Sequence, residues 1–524
     1  DYLDDDARGE GGSDEDDADL EAIRLRDGLR GPIPTDDEDD SGLGSAFDDD
    51  EADLWAGADD EPREAPALSA DAHERLLARY VEIERELDAR WPESRIEPTL
   101  DRVRAVLDIL GEPQRAVPVI HLAGTNGKTS TARMVESLLR SFGLRTGLYT
   151  SPHLHTLRER VRLDGEPIDL ERFVRTYDDI APYVDAVDRR TVELGGPRLS
   201  YFELLTVLAY AAFADAPVDV AVVETGMGGT WDATNVADGT VAVVLPVDLD
   251  HQEYLGPDVA TIAGEKAGII KQDAAVVLAH QSLDAAEVLL RRAVEMGATV
   301  AREGVEFGVV GRAPAIGGQL LSLQGPGGRY DDVFLPLFGE HQASNAAVAL
   351  AAVEAFLGGG SQALDADLVR AGFASVSSPG RLEVVRRSPT VVVDAAHNPH
   401  GARALAEAVA DGFEFTRLVG VVAVLGDKDA RGLLEALEPL LAEVVVTRSS
   451  SPRALDPDAL AAVAVEVFGT DRVQVAPRLS TALDAAIELA DEAAAELGGG
   501  AGVLVTGSVV TAAEARALLG KAEA

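Results

Sequence analysis

The sequence predicts an α/β fold in two parts, each built on a mostly parallel sheet. Three observations carry this reading. From about residue 70 onward, apolar strand-like runs alternate with helical patterns, the rhythm of a parallel sheet covered by helices. A glycine-rich loop stands between one such run and the helix that follows. At 377–380 the segment Ser-Ser-Pro-Gly interrupts the chain, and a second series of strand candidates begins.

Taken in order, "VPVIHLAG" (117–124) is a β-rich run, "TSTARMVESLLRSFG" is helical and "RTGLYTS" extends again. "YFELLTVLAYAAFADA" is the next long helix, leading into the strands "VDVAVVETG" and "VAVVLPVD". "GGQLLSLQGPGGRYDDVFLPLFGEHQ" breaks the rhythm with glycine turns, as an antiparallel addition would, before "HQASNAAVALAAVEAFLG" and "DADLVRAGFASV" resume as helices. The boundary is expected within "SSPGRLEVV" (377–385), because Ser-Ser-Pro-Gly does not extend a helix. Beyond it, "PTVVVDAAH", "LVGVVAVLG", "EVVVTRSS", "RVQVA" and "AGVLVTGS" give five strands. The expected domains are therefore 68–378 and 379–524, preceded by a tail at 1–67.

That tail is set apart by its charge. Residues 1–65 hold 26 acidic and 5 basic side chains, so almost half of the formal net charge of -46 lies in an eighth of the chain. So few apolar residues cannot offset the ordering entropy, and a disordered acidic segment is expected. The acidic balance argues against non-specific nucleic-acid binding. With no apolar run long enough to span a bilayer and no basic, apolar leader, no membrane role and a cytoplasmic location are expected. The absence of cysteine excludes disulfides, thiolate metal sites and cysteine nucleophiles, so any metal would be held by oxygen or imidazole.

The chemistry starts at "HLAGTNGKTS" (121–130). A standard phosphate loop spaces its first Gly five residues before the closing Gly-Lys-Ser/Thr, and here that place is Leu122. The loop Gly124-Thr125-Asn126-Gly127-Lys128-Thr129 is two residues shorter, yet it still leaves a strand and opens a helix. Glycines let backbone amides converge on phosphate oxygens, the helix start adds positive potential, and Lys128 neutralises β- and γ-phosphates. Later strand ends offer Ser151 in "TSPHL", Glu224 in "VVETGMGGTWDATNV" and His251 in "DLDHQEYLG", a set suited to a hard cation at one sheet edge. "GEKAGIIK" adds Lys266 in a partly apolar setting.

Together these segments resemble the folylpolyglutamate synthase/dihydrofolate synthase family, relatives of the Mur ligases. The likeness runs from about residue 75 to 520 and rests on "AGTNGKTS", "TSPHL…ERVRLDGEPI", "YFELLT", "VVETGMGG…DATNV", "DHQEYLG", "EKAGIIK", "PGRLEVV" and "DAAHNPHGA" in that order. The resemblance implies a Mur-ligase-like phosphate-loop domain with a smaller Rossmann-like C-terminal domain and ATP in the cleft between them. It implies that Gly124 to Thr129, Asn345, Arg381 and Asp394 contact ATP. It assigns Ser151, Glu224 and His251 to magnesium, with Lys266 as a carbamate serving a second ion. A pterin substrate would lie against Arg95, Ile96 and Glu97, against Ser200, Tyr201, Phe202 and Glu203, and against Trp231, Asp232 and Ala233. His397, in the family's "DxAHNP" pattern, is the candidate base. Thr230 departs from the arginine usual at its position.

The activity implied is ATP-dependent joining of L-glutamate to dihydropteroate, to the tail of a reduced folate, or to both, through an acyl phosphate, by a monomer. A Mur-type peptidoglycan ligase would need a folded domain ahead of the loop, and only about 50 residues separate the acidic tail from Gly124. A catalytically silent nucleotide-binding regulator would have no use for Lys128, Glu224, His251 and Asp394 together.

Overall fold

A computed structural model describes residues 69–92, 97–497 and 499–521, all within one unit, Leu68–Ala524. The acidic segment expected at 1–67 lies outside the described residues, as do Arg95 and Ile96.

Two parallel-rich sheets and a small antiparallel one organise the unit. The first sheet holds β1 (Val119–Ala123), β2 (Thr146–Tyr149), β3 (Val161–Leu163), β4 (Glu166–Pro167), β5 (Val220–Glu224), β6 (Gly239–Val244), β7 (Ala275–Leu278) and β8 (Thr299–Arg302). Their spatial order is β4-β3-β2-β5-β1-β6-β7-β8, with β2, β5, β1, β6, β7 and β8 parallel, β3 antiparallel to β2 and β4 antiparallel to β3. β9 (Gly308–Ala315), β10 (Gly318–Gln324) and β11 (Arg329–Leu335) form the antiparallel addition; β9 was not expected, because alternate residues of "GVVGRAPA" are exposed on both faces and no apolar stripe marks it.

Successive side chains of a strand point to opposite faces, so a strand buried on both reads as one apolar run. Val119, Ala221 and Val223 face the helices Ala70–Asp88, Asp101–Ile109, Leu170–Glu193 and Tyr201–Asp215. Ile120, Leu122, Val220 and Val222 face Lys128–Ser141, Glu340–Gly358 and Ala366–Ala374. The helix Glu340–Gly358 is apolar nearly all round because the sheet lies on one side of it and β9–β11 on another.

The second sheet comprises β12 (Glu383–Arg387), β13 (Thr390–Val393), β14 (Arg417–Val422), β15 (Glu443–Val446), β16 (Val473–Val475) and β17 (Ala501–Thr506), in the order β12-β13-β17-β14-β15-β16. The last five are parallel and correspond to the five expected runs. β12 adds a sixth strand to those expected: "LEVV" leaves the Ser-Ser-Pro-Gly break as an antiparallel edge strand paired with β13. Helices cover both faces of this sheet too, with separate apolar cores on either side.

Phe373 is fully buried under the phosphate-loop helix, so Phe373→Ala is expected to cost about 3–5 kcal/mol, read as a lower urea midpoint. Truncating Leu368 of the same helix, 38% exposed, should shift stability by no more than about 0.5 kcal/mol. Equal effects would contradict this packing.

Candidate active site

The residues singled out above converge at the C-terminal ends of parallel strands, the edge where open α/β sheets bind ligands. β1 runs into the loop at Gly124, β2 into Ser151, β5 ends on Glu224 and β6 leads to His251. A side chain at Gly124 would put a Cβ 2.6 Å from that of Leu245. At Gly127 the backbone has φ +86°, and a Cβ would lie 2.7 Å from Asn345 Oδ1. Both positions therefore require glycine. Thr125 fastens the loop to the segment after β6, its N–H donating to the Pro246 carbonyl (3.0 Å) and its hydroxyl to that of Asp248 (3.0 Å).

Two ammonium groups share one carbonyl. Lys128 Nζ donates to Gly124 O at 3.0 Å and Lys266 Nζ to the same oxygen at 2.8 Å. Lys266 is only 4% exposed. Burial disfavours the charged form of each amine. Lys128 is lowered by burial, and Lys266 is pushed down to about 7 by burial first and Lys128 second.

Beside them Glu224, 2% exposed, accepts from the Thr129 hydroxyl at 2.9 and 3.0 Å and from the Ser151 N–H at 3.4 Å. Burial raises its pKa, opposed by Lys128. Thr129 is thus committed to Glu224. Burial pushes His251 down to about 4, so its imidazole is neutral at pH 7 with a lone pair to offer. Among the described residues no three His, Asp or Glu side chains are grouped to hold an ion alone. A carboxylate, hydroxyls and one neutral imidazole match magnesium, which takes few protein ligands and completes its shell with phosphate oxygens and water.

The second sheet presents its own C-terminal edge to the same space. After β13 come Asp394, which accepts from the N–H groups of Leu382 and Ala396 (2.8 Å each), and His397, whose Nδ1–H donates to the Ala395 carbonyl (3.0 Å). That bond leaves the His397 Nε2 lone pair available, and burial lowers the pKa of the ring. Contacts between the two edges are direct. Asn126 Nδ2 donates to His400 Nδ1 (2.8 Å), and Asn398 Nδ2 donates to Asn126 Oδ1 (3.2 Å) and Asp250 Oδ2 (3.1 Å). Lys428, in the loop after β14, donates to Asp250 Oδ1 (2.9 Å), with both side chains at most 12% exposed. Asp250, His400 and Lys428 were missed in the sequence. Asp250 adjoins His251 in "DHQEYLG" and Lys428 stands in "LGDKD", but nothing local pairs them.

At the other end of the space, Phe202, Trp231 and Met227 give apolar faces and Asp232 a carboxylate. Asp232 is 3% exposed and accepts from the N–H groups of Met227 (2.8 Å) and Thr234 (3.0 Å), with its pKa raised by burial. Ser200 and Glu203 are a helix capping box, each accepting from the other's backbone N–H. Glu203 is also ion-paired to buried Arg102 (2.9 Å), which reaches Glu97 at 2.9 Å. Tyr201 does not line the cavity: as the first residue of that helix it is turned aside, and Arg160 lies 5.3 Å over its ring. Thr230 donates to the Glu265 carbonyl (3.1 Å). All the other described residues from the sequence reading line one cavity of about 690 Å³, Ser200, Ala233, Asn345 and Arg381 included.

Family models match over most of the described chain: the Mur ligase middle domain over residues 122–353 and the "Mur ligase, glutamate ligase domain" over 380–509. A dihydrofolate synthase/folylpolyglutamate synthase of Mycobacterium tuberculosis is 55% identical over 461 residues, 85% of this chain and 95% of the relative. The chain belongs to the dihydrofolate synthase/folylpolyglutamate synthase family of Mur ligases. An Escherichia coli family member is 32% identical over 358 residues, covering 68% of this chain and 79% of its own length. Among solved structures, the M. tuberculosis folylpolyglutamate synthase complexed with ADP and AMPPCP superposes with a TM-score of 0.82 at 53% identity, covering 86% of this chain and all of the other. E. coli FolC in complex with DHPP and ADP gives 0.71 at 31%, covering 84% and 97%.

The geometry of this family member makes its lysines distinguishable, and the chain has only five. Competitive acetylation across pH should label Lys266 with an apparent pKa near 7, against about 10.4 for an ordinary lysine. Below pH 7 Lys266 is protonated and should be spared. All five lysines titrating together near 10 would contradict its burial beside Lys128.

Proposed function

We propose that this family member joins L-glutamate to dihydropteroate and extends the γ-glutamyl tail of reduced folates, using ATP to activate the accepting carboxylate. The observation that carries the reading is the cavity itself. A phosphate loop, a buried carboxylate and two lysines on the first sheet's side face Arg381, Asp394 and His397 on the other, with aromatic faces and Asp232 at the far end. A Mur-type peptidoglycan ligase and a silent regulator are not favoured, since the relatives are folate-glutamate ligases.

A carboxylate is a poor electrophile, and its condensation with an amine in water is unfavourable. Its oxygen attacks the γ-phosphorus of ATP, releasing ADP and leaving an acyl phosphate; the glutamate amine then attacks the acyl carbon, and phosphate departs with the former carboxylate oxygen. Catalysis of phosphoryl transfer is mainly positioning and electrostatics. Lys128 and the loop amides take the phosphate charge, with Asn345, Arg381 and Asp394 holding the nucleotide. Ser151, Glu224 and His251 would hold magnesium, which supplies charge neutralisation on the phosphate oxygens when bound. The neutral Lys266 amine can take up CO2 with loss of a proton, and the resulting carbamate would serve a second ion. Arg95, Ile96, Glu97, Ser200, Phe202, Glu203 and Trp231–Ala233 are assigned to the pterin end, and His397 Nε2 to the proton of the attacking ammonium.

The segments 68–378 and 379–524 act as the two bodies that close over the substrates and exclude water from the acyl phosphate. We assign the activity to a single copy of the chain. Among the described residues no helix is long and apolar enough to cross a membrane, and we assign the activity to the cytoplasm.

The deciding assay supplies ATP and labelled glutamate with dihydropteroate in one arm and tetrahydrofolate in the other. Incorporation in both is expected, and incorporation in neither overturns the reading. Lys128→Ala should lower kcat about 10²–10³-fold, with folate affinity retained. Glu224→Gln should raise the magnesium concentration needed for half-maximal rate, and an unchanged metal titration would remove Glu224 from the metal site.

A further inference from the structure

A second, polar cavity of about 90 Å³ lies further along the phosphate-loop helix and shares no lining residue with the first among the described residues. Arg133 and Arg140 come from that helix, Arg162 from β3 and Arg516 from the C-terminal helix Val509–Leu518. The segment Ser375–Ser377, which joins the helix Ala366–Ala374 to the second sheet, closes the cavity.

Its charge runs against that of the protein. In a chain of net charge -46, four guanidiniums face two carboxylates, each of which also accepts hydrogen bonds from neighbouring groups. Glu159 accepts from the N–H groups of Leu154, His155 and Thr156, each at 2.9 Å, and Glu136 from the Thr146 hydroxyl at 2.7 Å. Only Arg516 has a close carboxylate, Glu383 at 2.8 Å. Arg133 donates to the Ser377 carbonyl at 3.3 Å, Arg162 donates to that of Gly165 at 3.0 Å, and the carboxylate oxygen nearest Arg140 is that of Glu136 at 3.8 Å. Each guanidinium carries five donors, and Arg133, Arg140 and Arg162 against Glu136 and Glu159 leave the cavity with an excess of positive charge. Burial first and Arg162 second push Arg133 down to about 10, the mark of a cation that a nearby anion would relieve.

We propose that this cavity binds one small tetrahedral oxyanion, inorganic phosphate, through Arg133, Arg140 and Arg162. At about 90 Å³ the cavity is far smaller than the one of about 690 Å³ at the sheet edges, a size that suits a small ion. Three guanidiniums converging from two elements favour a dianion with oxygens in several directions over a planar carboxylate. Bound there, phosphate links the phosphate-loop helix and β3 to the segment joining the two sheets. The reaction proposed above releases this same ion, so the site would sense product; the binding itself does not depend on that reading.

The test is calorimetric titration of the full chain carrying Lys128→Ala, so that the phosphate loop does not compete, with sodium phosphate at constant ionic strength and no ATP or folate. Saturable one-site binding is expected, with a higher Tm in phosphate than in chloride. Arg162→Gln and, separately, the exposed Arg140→Gln should each raise Kd at least about tenfold, equivalent to about 1.4 kcal/mol. Arg140 is 43% exposed, so Arg140→Gln keeps the test open if Arg162→Gln fails to fold. No saturable heat, or equal stabilisation by chloride, or an unchanged Kd in the folded variants overturns the proposal.

Discussion

One carboxylate ties the two halves of the site together. Asp250, in the loop that leaves β6, takes Lys428 on one oxygen and Asn398 on the other, both carried by the second sheet. Asn398 also holds Asn126 of the phosphate loop, and His400 accepts from the same amide. A buried charge left without its partner is expensive, so the favoured arrangement brings the C-terminal edges of both sheets face to face. The short phosphate loop belongs to this arrangement: Asn126 spends its amide on the opposite sheet, which is possible because the loop lies against Asn345 and Leu245 with glycines at the two tightest points.

The electrostatics of the cavity follow from that enclosure. Buried together, Lys128, Lys266, Glu224 and Asp394 each shift toward the neutral form, carboxyls up and amines down. Phosphate and metal charges arriving there meet groups held in place and little competing water. This is the condition under which fixed charges lower a barrier most, because no reorganisation is needed during the reaction.

Much of this was legible in the sequence, for physical reasons. Parallel strands buried on both faces write themselves as apolar runs, and site residues at strand ends follow those runs immediately, as Gly124, Ser151, Glu224 and Asp394 do. What the sequence hid depends on contacts distant along the chain. Asp250 and Lys428 are 178 residues apart and meet only because two sheets face each other. Lys266 was named from its motif, but its burial and its hydrogen bond to the Gly124 carbonyl, 142 residues away, show only in the fold. Tyr201 sits inside a convincing motif, yet the Ser200–Glu203 capping box turns it from the cavity, and β12 was masked by the Pro-Gly break before it.

The central claim is that the two sheet edges together turn a carboxylate into an acyl phosphate and protect it until an amine arrives. It is tested most directly by following oxygen. With dihydropteroate carrying ¹⁸O in both carboxylate positions, ATP and glutamate, the released phosphate should carry one ¹⁸O atom for each amide formed, the other remaining in the product carbonyl. Unlabelled phosphate accompanying labelled product would contradict the account, since the carboxylate would then never have been joined to phosphorus.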